Sequence, residues 1–276
     1  MNQSVISILK CPVCGAGMQA SPDARSIRCE GARTHCYDLS RSGYLNVTSP
    51  SDGVGDGKDA VRARTAFLGG GYYAPLSDAV NGILDGRGVG AVLDAGCGEG
   101  YYTNRMATGR TAIGVDLSRD GIDTAAKGAT RNGTGAAFFV GSLFKLPVQD
   151  ASVDAVTNLF APCAETEFSR VLRQNGSLIL VGAGERHLLG LKEKLYDTPY
   201  LNPGRADLPM HMQLIEERRL TYEITVEGQD MINALFSMTP YYWRTSESDR
   251  ARLSGLEALT TEVDFNIYVF EKGQSV

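Results

Sequence analysis

From residue 91 onward, short apolar runs alternate with stretches in which apolar residues recur at helical spacing. Apolar runs of about four to eight residues, bounded by glycine or polar residues, are typical of buried strands. Strands that alternate with helices in this way form a parallel sheet covered by helices. The predicted strands are Ala91–Ala95, Thr111–Asp116, Ala136–Val140, Val153–Phe160 and Ser177–Gly182.

Elements of other kinds flank this alternating region. Two later β-rich runs, Leu220–Val226 and Glu262–Glu271, lie on either side of a helix-like stretch at Gln229–Met238. They predict an antiparallel pair added to the sheet. Upstream, helical spacing between residues 60 and 84, broken by glycines 69 to 71, predicts two helices joined at a hinge. The fold class is therefore α/β.

The first 36 residues contain four of the six cysteines. Cys11 and Cys14 are spaced C-x2-C and are followed by glycines that allow a tight turn, and Cys29 supplies a third thiol. This pattern predicts a zinc ribbon whose metal has a structural role, because four protein ligands close the coordination sphere. His35 and Cys36 are adjacent, so only one of them is expected to be the fourth ligand, and the spacing leaves both open.

Length and loop composition predict the domain organisation. A chain of 276 residues and 29.6 kDa accommodates one large domain and a small module. Residues 49–59 are rich in Gly, Ser and Asp and have no periodic apolar positions, as in a linker. We expect a zinc-binding module at 1–48, a linker and helices at 49–85, and the domain containing the sheet at 86–276.

Composition and charge narrow the class of protein. Apolar residues make up 43% of the chain and charged residues 21%, which is usual for a globular protein. Because the chain has neither a long apolar run nor a secretion signal, we expect a cytoplasmic protein without a membrane anchor. The net charge is −5, yet residues 1–75 hold eight Lys and Arg against six Asp and Glu. A polyanion is therefore expected to prefer the N-terminal end.

The candidate cofactor site follows the first predicted strand. That strand runs into Asp94, Gly96, Gly98, Glu99 and a third glycine, in the pattern G-x-G-x-G behind an acidic residue. A dinucleotide site is the competing interpretation, but its usual spacing is G-x-G-x-x-G. The second strand ends at Asp116, where a carboxylate can accept hydrogen bonds from ribose hydroxyls. Together these features favour S-adenosylmethionine.

The order of these segments resembles the class I methyltransferases. This resemblance implies a Rossmann-like sheet of seven strands, and it implies that the turns after the second and third strands border the cofactor. Leu117 lies in the first of these turns, and Ser142 and Leu143 lie in the second.

Several motifs together resemble the 23S rRNA (guanine-N1)-methyltransferases over nearly the whole chain. They are CPVC, HCYD, GDGKDAVRARTAFLGGGYYAPL, VLDAGCGEGYYT, FAPC, GERHL, MTPYYWR and VDFNIYVF. The resemblance implies a cytoplasmic, homodimeric bacterial enzyme that methylates N1 of a guanine in the hairpin 35 loop of 23S rRNA. It also implies His35 as the fourth zinc ligand, and Tyr73, Gly98, Glu99 and His187 as cofactor contacts.

The chemistry of the acceptor predicts a base. Guanine N1 carries a proton that must leave at or before methyl transfer, and its lone pair must then face the methyl group. Tyr72, His187 and Asp264 are candidates for this base, and the sequence does not choose among them. The catalytic residue therefore remains unassigned at this stage.

Two alternative functions stay open. Housekeeping members of the family carry a basic run after the zinc module, whereas residues 48–56 contain no Lys or Arg, and phosphate contacts dominate RNA affinity. One alternative is therefore an N-methyltransferase of a small guanine-like or other nitrogen heterocycle. The other is a noncatalytic RNA-binding protein that has kept the fold, which the complete glycine loop with Asp116 argues against.

Overall fold

The computed structural model describes residues 1–49, 51–205 and 207–273. Pro50 of the predicted linker, and Ala206 and residues 274–276 of the predicted sheet domain, lie outside the described residues. Among the described helices, none has the length and apolar character that a membrane span requires. In chain order the elements are α1 (Gln3–Ile6), β1 (Met18–Ala20), β2 (Ser26–Cys29), β3 (Cys36–Asp38), β4 (Leu45–Asn46), α2 (Lys58–Gly69), α3 (Ala74–Gly86), β5 (Ala91–Ala95), α4 (Tyr101–Met106), β6 (Thr111–Asp116), α5 (Arg119–Asn132), β7 (Ala137–Val140), β8 (Val153–Leu159), α6 (Glu165–Val171), β9 (Leu172–Ala183), α7 (Leu189–Leu195), β10 (Gln213–Glu227), α8 (Gln229–Ser237), α9 (Glu247–Ala251) and β11 (Ala258–Glu271).

Eight of these strands form one sheet in the order β10-β11-β9-β8-β5-β6-β7-β4. Neighbouring strands are parallel except at β11, which runs antiparallel to both β9 and β10. The chain builds the sheet outward from β5 through β6 and β7, and then crosses to the other side of β5 with β8. In open α/β sheets, ligands bind at the carboxyl ends of the strands beside such a switch in direction.

The predicted strands are confirmed, but three of them begin at least four residues earlier than predicted, among them β11, which begins at Ala258 rather than Glu262. All five strands expected between residues 91 and 182 are present, and the antiparallel pair follows them. β9 begins at Leu172 rather than Ser177, and β10 begins at Gln213 rather than Leu220. β10 is the edge strand and its first residues are mostly exposed, so hydrogen bonds to β11 hold them. No apolar alternation marks their start in the sequence.

The sheet has one strand more than the seven predicted. The additional strand, β4, comes from the N-terminal segment and pairs parallel with β7, with Leu45 opposite Phe139. The N–H group of Val47 extends this pairing by donating to the carbonyl of Val140 at 2.9 Å. A strand of two residues is too short to show periodicity, and only the contact with β7 makes it a strand.

The N-terminal segment shares a hydrophobic core with the sheet. Val5 and Leu9 belong to the same buried cluster as Leu93, Ile113 and Phe139 of the central strands. The short strands β1, β2 and β3 form their own small antiparallel sheet beside this cluster. The predicted boundary at residue 48 thus divides segments that pack together, and the division into domains stays a prediction.

The two helices before the sheet meet at the predicted glycine hinge. α2 ends at Gly69, and Gly71 has a φ of +80°, a left-handed conformation that glycine adopts without steric strain. The turn leads directly into Tyr73, which caps the N-terminus of α3 and is 2% exposed. The hinge therefore places a buried tyrosine at the carboxyl edge of the sheet.

We predict that Leu45→Ala lowers the free energy of unfolding by about 2 to 4 kcal/mol, because Leu45 is fully buried where β4 joins the sheet. Urea unfolding monitored by circular dichroism measures this change. Val54→Ala is the control, since Val54 is 96% exposed and its truncation should leave stability nearly unchanged. Equal stabilities for the wild type and Leu45→Ala would contradict the packing of β4 against β7.

Candidate active site

Three glycines shape the loop between β5 and α4. Gly96, Gly98 and Gly100 have φ values of +86°, +54° and +79°, which favour glycine. A Cβ atom on Gly96 would lie 2.4 Å from the Cβ of Ala161, and one on Gly100 would lie 2.5 Å from the Cβ of Ala125. The G-x-G-x-G spacing is therefore required by both backbone conformation and close packing.

Asp116, at the end of β6, holds the glycine loop against the next turn. One carboxylate oxygen accepts a hydrogen bond from the N–H of Gly98 at 2.9 Å, and the other accepts from the N–H of Ser118 at 2.7 Å. Burial raises the pKa of Asp116, and these two N–H donors oppose the rise. Because Asp116 is only partly buried, its remaining lone pairs can accept hydrogen bonds from the hydroxyls of a bound ribose.

The carboxylate of Asp94 is directed into the fold under the loop. It accepts hydrogen bonds from the hydroxyls of Thr103 at 2.5 Å and Thr157 at 2.9 Å, and the residue is 1% exposed. Burial raises the pKa of Asp94 to about 6. Asp94 thus joins β5 to α4 and β8, whereas the carboxylates of Asp116 and Glu99 lie nearer the loop surface.

The turns predicted to border the cofactor meet the glycine loop. Leu143 is buried, and its side chain lies 3.7 Å from the Cβ position of Gly96. Ser142 precedes it and accepts a hydrogen bond from the N–H of Phe144 at 3.3 Å. Leu117 lies beside Asp116 and is partly buried. The structure therefore brings the ends of β5, β6 and β7 together at one edge of the sheet.

Two buried polar atoms beside the loop have no hydrogen-bond partner among the described residues. They are the Oε2 atom of Glu99 and the hydroxyl of Tyr102. Burial raises the pKa of Glu99 to about 7, although the nearby Arg64 opposes the rise. Buried polar groups in native structures normally have hydrogen-bond partners. The lack of a partner at these two atoms therefore indicates a place for a polar ligand.

Arg64 of α2 is a site residue that sequence reasoning missed. Its Nη2 atom lies 2.7 Å from Asp56, its Nε atom lies 4.0 Å from Glu99, and its Nη1 atom lies 3.4 Å from the Cβ position of Gly98. The sequence does mark Arg64 by its position in the helix, because helical spacing places it on the same face as Val61 and Leu68, which are buried.

Tyr73 and His187 are joined on the other side of the site. The tyrosine hydroxyl lies 3.2 Å from Nε2 of His187, and the N–H of Asp264 donates to Nδ1 of the same ring at 3.2 Å. Burial lowers the pKa of His187 to about 4, so the ring is neutral near pH 7. Because Nδ1 accepts, the proton lies on Nε2 and donates to the Tyr73 oxygen.

The three candidate bases occupy different environments. The Asp264 carboxylate is fully buried and accepts hydrogen bonds from Arg219 at 2.7 and 2.9 Å, which lowers its pKa. His187 uses its one acceptor nitrogen on a backbone N–H group. Tyr72 stacks on Phe67 with 4.8 Å between the ring centroids. Thus Asp264 and His187 are already committed to partners within the fold.

A second cluster lies in the N-terminal segment. The thiols of Cys11, Cys14 and Cys29 and a ring nitrogen of His35 all lie within 4.8 Å of one another. Cys14 and Cys29 are 3.6 Å apart, and Nδ1 of His35 is 3.6 Å from Cys11 and 3.4 Å from Cys29. Cys36 is exposed and outside this cluster. These separations match those between ligands of a tetrahedral zinc ion.

Comparison with known proteins decides the family. The family model "Methyltransferase domain" matches residues 92–176. The Bacillus subtilis (strain 168) protein YxjB, which is named as a 23S rRNA (guanine-N(1)-)-methyltransferase, is 31% identical over 95% of this chain and 96% of its own length. The chain belongs to the 23S rRNA (guanine-N1)-methyltransferase family. The 23S rRNA (guanine(748)-N(1))-methyltransferase of Streptomyces fradiae is 29% identical over 97% of this chain and 98% of its own length.

Solved structures agree on the fold of this methyltransferase. A protein studied for the conversion of a disulfide bond into a thioacetal group during echinomycin biosynthesis matches 71% of this chain and 82% of its own, with 19% identity and a TM-score of 0.51. A structure described as a sarcosine dimethylglycine methyltransferase of Galdieria sulphuraria matches 79% and 100%, with 14% identity and a TM-score of 0.50.

We predict that Glu99→Gln stabilises the ligand-free methyltransferase at pH 8 by about 1 to 3 kcal/mol. The folded-state pKa of about 7 exceeds the ordinary value of 4.5, so the buried carboxylate destabilises the fold once it is ionised. The gain should be complete above pH 7 and should vanish below pH 4.5, where both states hold the proton.

Urea unfolding at intervals between pH 4.5 and 8 tests this dependence. The matched control is Glu257→Gln at an exposed position, which should track the wild type throughout. A Glu99→Gln protein that is less stable than the wild type at pH 8 would show that the carboxylate is well paired without ligand.

Proposed function

We propose that this methyltransferase transfers a methyl group from S-adenosylmethionine to N1 of a guanine in the hairpin 35 loop of 23S rRNA. The observation that carries the proposal is the full-length similarity to relatives named for guanine-N1 methylation of 23S rRNA. The aligned length is 95 to 97% of the chain, so the similarity is not confined to the glycine loop and its surroundings.

The geometry at the glycine loop supports S-adenosylmethionine as the methyl donor. Asp116 suits a ribose, and the Oε2 atom of Glu99, which has no hydrogen-bond partner among the described residues, suits the positive charge of the methionine portion. When bound, S-adenosylmethionine supplies an electrophilic methyl group on a sulfonium. The residues proposed to hold it are Tyr73, Asp94, Gly96, Gly98, Glu99, Asp116, Leu117, Ser142, Leu143 and His187, with Asp94 acting through the threonines beneath the loop.

The Tyr73–His187 pair is proposed to orient groups rather than to remove the N1 proton. The neutral ring of His187 donates to the Tyr73 oxygen, which leaves the tyrosine hydroxyl hydrogen free to donate toward the site. Burial raises the pKa of Tyr73 well above its usual range, so the hydroxyl stays protonated. The pair therefore offers a hydrogen-bond donor at the carboxyl edge of the sheet.

The N-terminal segment offers positive charge for RNA, although the chain as a whole is acidic. Arg25, Arg28, Arg33 and Arg41 are all exposed, and none has a carboxylate within 4.0 Å among the described residues. Exposed, unneutralised arginines suit the phosphate contacts on which RNA affinity depends. We propose that this segment contacts the RNA, and that the enzyme acts as a cytoplasmic homodimer, as the family resemblance implies.

We also propose that Cys11, Cys14, Cys29 and His35 bind one zinc ion. Three thiolates and one imidazole complete a tetrahedral shell, so the ion would hold the segment's fold rather than react with substrate. The backbone N–H of His35 donates to the thiol sulfur of Cys29 at 3.1 Å, a contact typical of thiolate ligands in metal sites.

Methyl transfer from labelled S-adenosylmethionine tests the proposed reaction. We expect label on N1 of one guanine in unmodified 23S rRNA or a hairpin 35 transcript, and none on guanine nucleosides or other small heterocycles run in parallel. Asp116→Ala should abolish labelling through lost cofactor affinity, whereas Asp120→Ala, at an exposed position of α5, should retain it. Labelling of a small heterocycle without RNA labelling would establish the alternative function.

Metal analysis of purified variants tests the zinc site. The wild type should contain one zinc per chain, and His35→Ala should lose most of it and unfold at a lower temperature. Cys36→Ser should keep both the metal and the wild-type melting temperature, because Cys36 lies outside the cluster. The reverse result would assign the fourth ligand to Cys36.

A further inference from the structure

Phe160, directly after β8, has an unusual backbone conformation. Its φ is +57°, in the left-handed region that bulky side chains rarely adopt. Such a conformation costs on the order of 1 to 3 kcal/mol and persists only where the surroundings enforce it. Its side chain is nevertheless 46% exposed, so burial of the phenyl ring does not compensate.

Hydrogen bonds from the Arg205 side chain stabilise this turn. Its Nη2 atom donates to the side-chain oxygen of Asn158 and to the carbonyl of Ala161, both at 2.8 Å, and its Nη1 atom donates to the carbonyl of Val181 at 2.9 Å. The N–H of Phe160 donates to the same Val181 carbonyl at 3.0 Å. Since the Arg205 side chain is only 9% exposed, the turn is held by a largely desolvated guanidinium.

Hydrogen bonds from the buried Asn158 side chain also stabilise the turn. Its amide nitrogen donates to the carbonyl of Ala95 at 2.9 Å and to that of Pro162 at 3.2 Å. Asn158 is fully buried and its oxygen already accepts from Arg205, so it serves the turn rather than the reading of a base edge. The fold therefore fixes the residues around Phe160 and leaves the phenyl ring as the part that faces outward.

The ring lies between the proposed cofactor contacts. It is nearly parallel to the ring of His187, with an interplanar angle of 25° and 6.4 Å between centroids. The next residue, Ala161, packs on Gly96 of the glycine loop. An exposed aromatic face thus stands at the carboxyl ends of β5 and β8, where an open α/β sheet places the reacting part of its substrate.

We propose that Phe160 is the stacking surface for the acceptor guanine, and that Arg205 is the positioning residue that presents it. The inference rests on the proposed function, because it takes the acceptor to be a purine drawn out of its RNA stack. Stacking of a base on an aromatic side chain is worth about 1 to 3 kcal/mol. Binding of the guanine would then account for both the strained backbone of Phe160 and the exposure of its ring.

Steady-state methylation of a hairpin 35 transcript tests the stacking. Phe160→Leu should lower kcat/KM about 10- to 100-fold, the range that corresponds to the loss of stacking. Its affinity for S-adenosylmethionine, measured by calorimetry, should stay within about twofold of the wild type. Phe160→Tyr keeps an aromatic face and should retain most of the activity.

Phe160→Gly separates a binding role from a structural one. Glycine adopts a φ of +57° without strain, so this variant should be at least as stable to urea as the wild type while it loses methylation. A residue needed only for folding would lose both properties together. Retention of kcat/KM within twofold in Phe160→Leu, or an equal loss of cofactor affinity, would overturn the proposal.

A double-mutant cycle tests Arg205. Arg205→Gln alone should lower kcat/KM, and in the Phe160→Gly background it should lower it much less, because no ring remains to be positioned. Arg173→Gln, at a half-exposed and remote position, is the control. Independent, additive losses would overturn the positioning role. A wild type that methylates no guanine would instead contradict the proposed function itself, and the stacking proposal with it.

Discussion

The site depends on the burial of acidic groups beside a loop in which Gly96 and Gly100 have no room for side chains. Burial raises the pKa of Asp94, Glu99 and Asp116, which lie at or just beyond the ends of two adjacent strands. Two threonines stabilise Asp94 and two backbone N–H groups stabilise Asp116, but Glu99 faces Arg64 only at 4.0 Å. The excess negative charge favours a ligand that brings a positive one, as a sulfonium cofactor does.

The segment between the N-terminal module and α2 packs against the same loop and turn that carry these acidic groups. A Cβ atom on Gly55 would lie 2.3 Å from the backbone nitrogen of Ser118, so the segment rests directly on the turn after β6. The Ser118 hydroxyl donates to the carbonyl of Asp56 at 2.6 Å, and the Asp56 carboxylate pairs with Arg64. The segment that links the proposed zinc module to the helices is thus part of the wall of the proposed cofactor site.

Sequence reasoning succeeds here where local pattern decides the structure. The strand that ends at Asp116 and the three glycines after β5 follow from apolar runs and turn chemistry, which act over a few residues. β4 could not be assigned in this way, and Arg64 was marked only by its position on the same face of α2 as Val61 and Leu68. Leu45 joins the sheet through its pairing with Phe139, and Arg64 faces Glu99 while Arg62 is exposed because of how α2 packs in the fold. Both depend on tertiary contacts that the sequence does not display.

Close packing and the hydrogen bonds of Asn158 join the proposed cofactor and acceptor sites. Ala161 packs so closely on Gly96 that a side chain on Gly96 would clash with it. The same turn carries Phe160, while Arg205 and Asn158 fix it from opposite sides. The glycine loop and the turn that carries the phenyl ring are therefore held at a fixed separation. In-line methyl transfer requires donor and acceptor to be aligned closely, and a rigid contact of this kind supplies that alignment without a hinge.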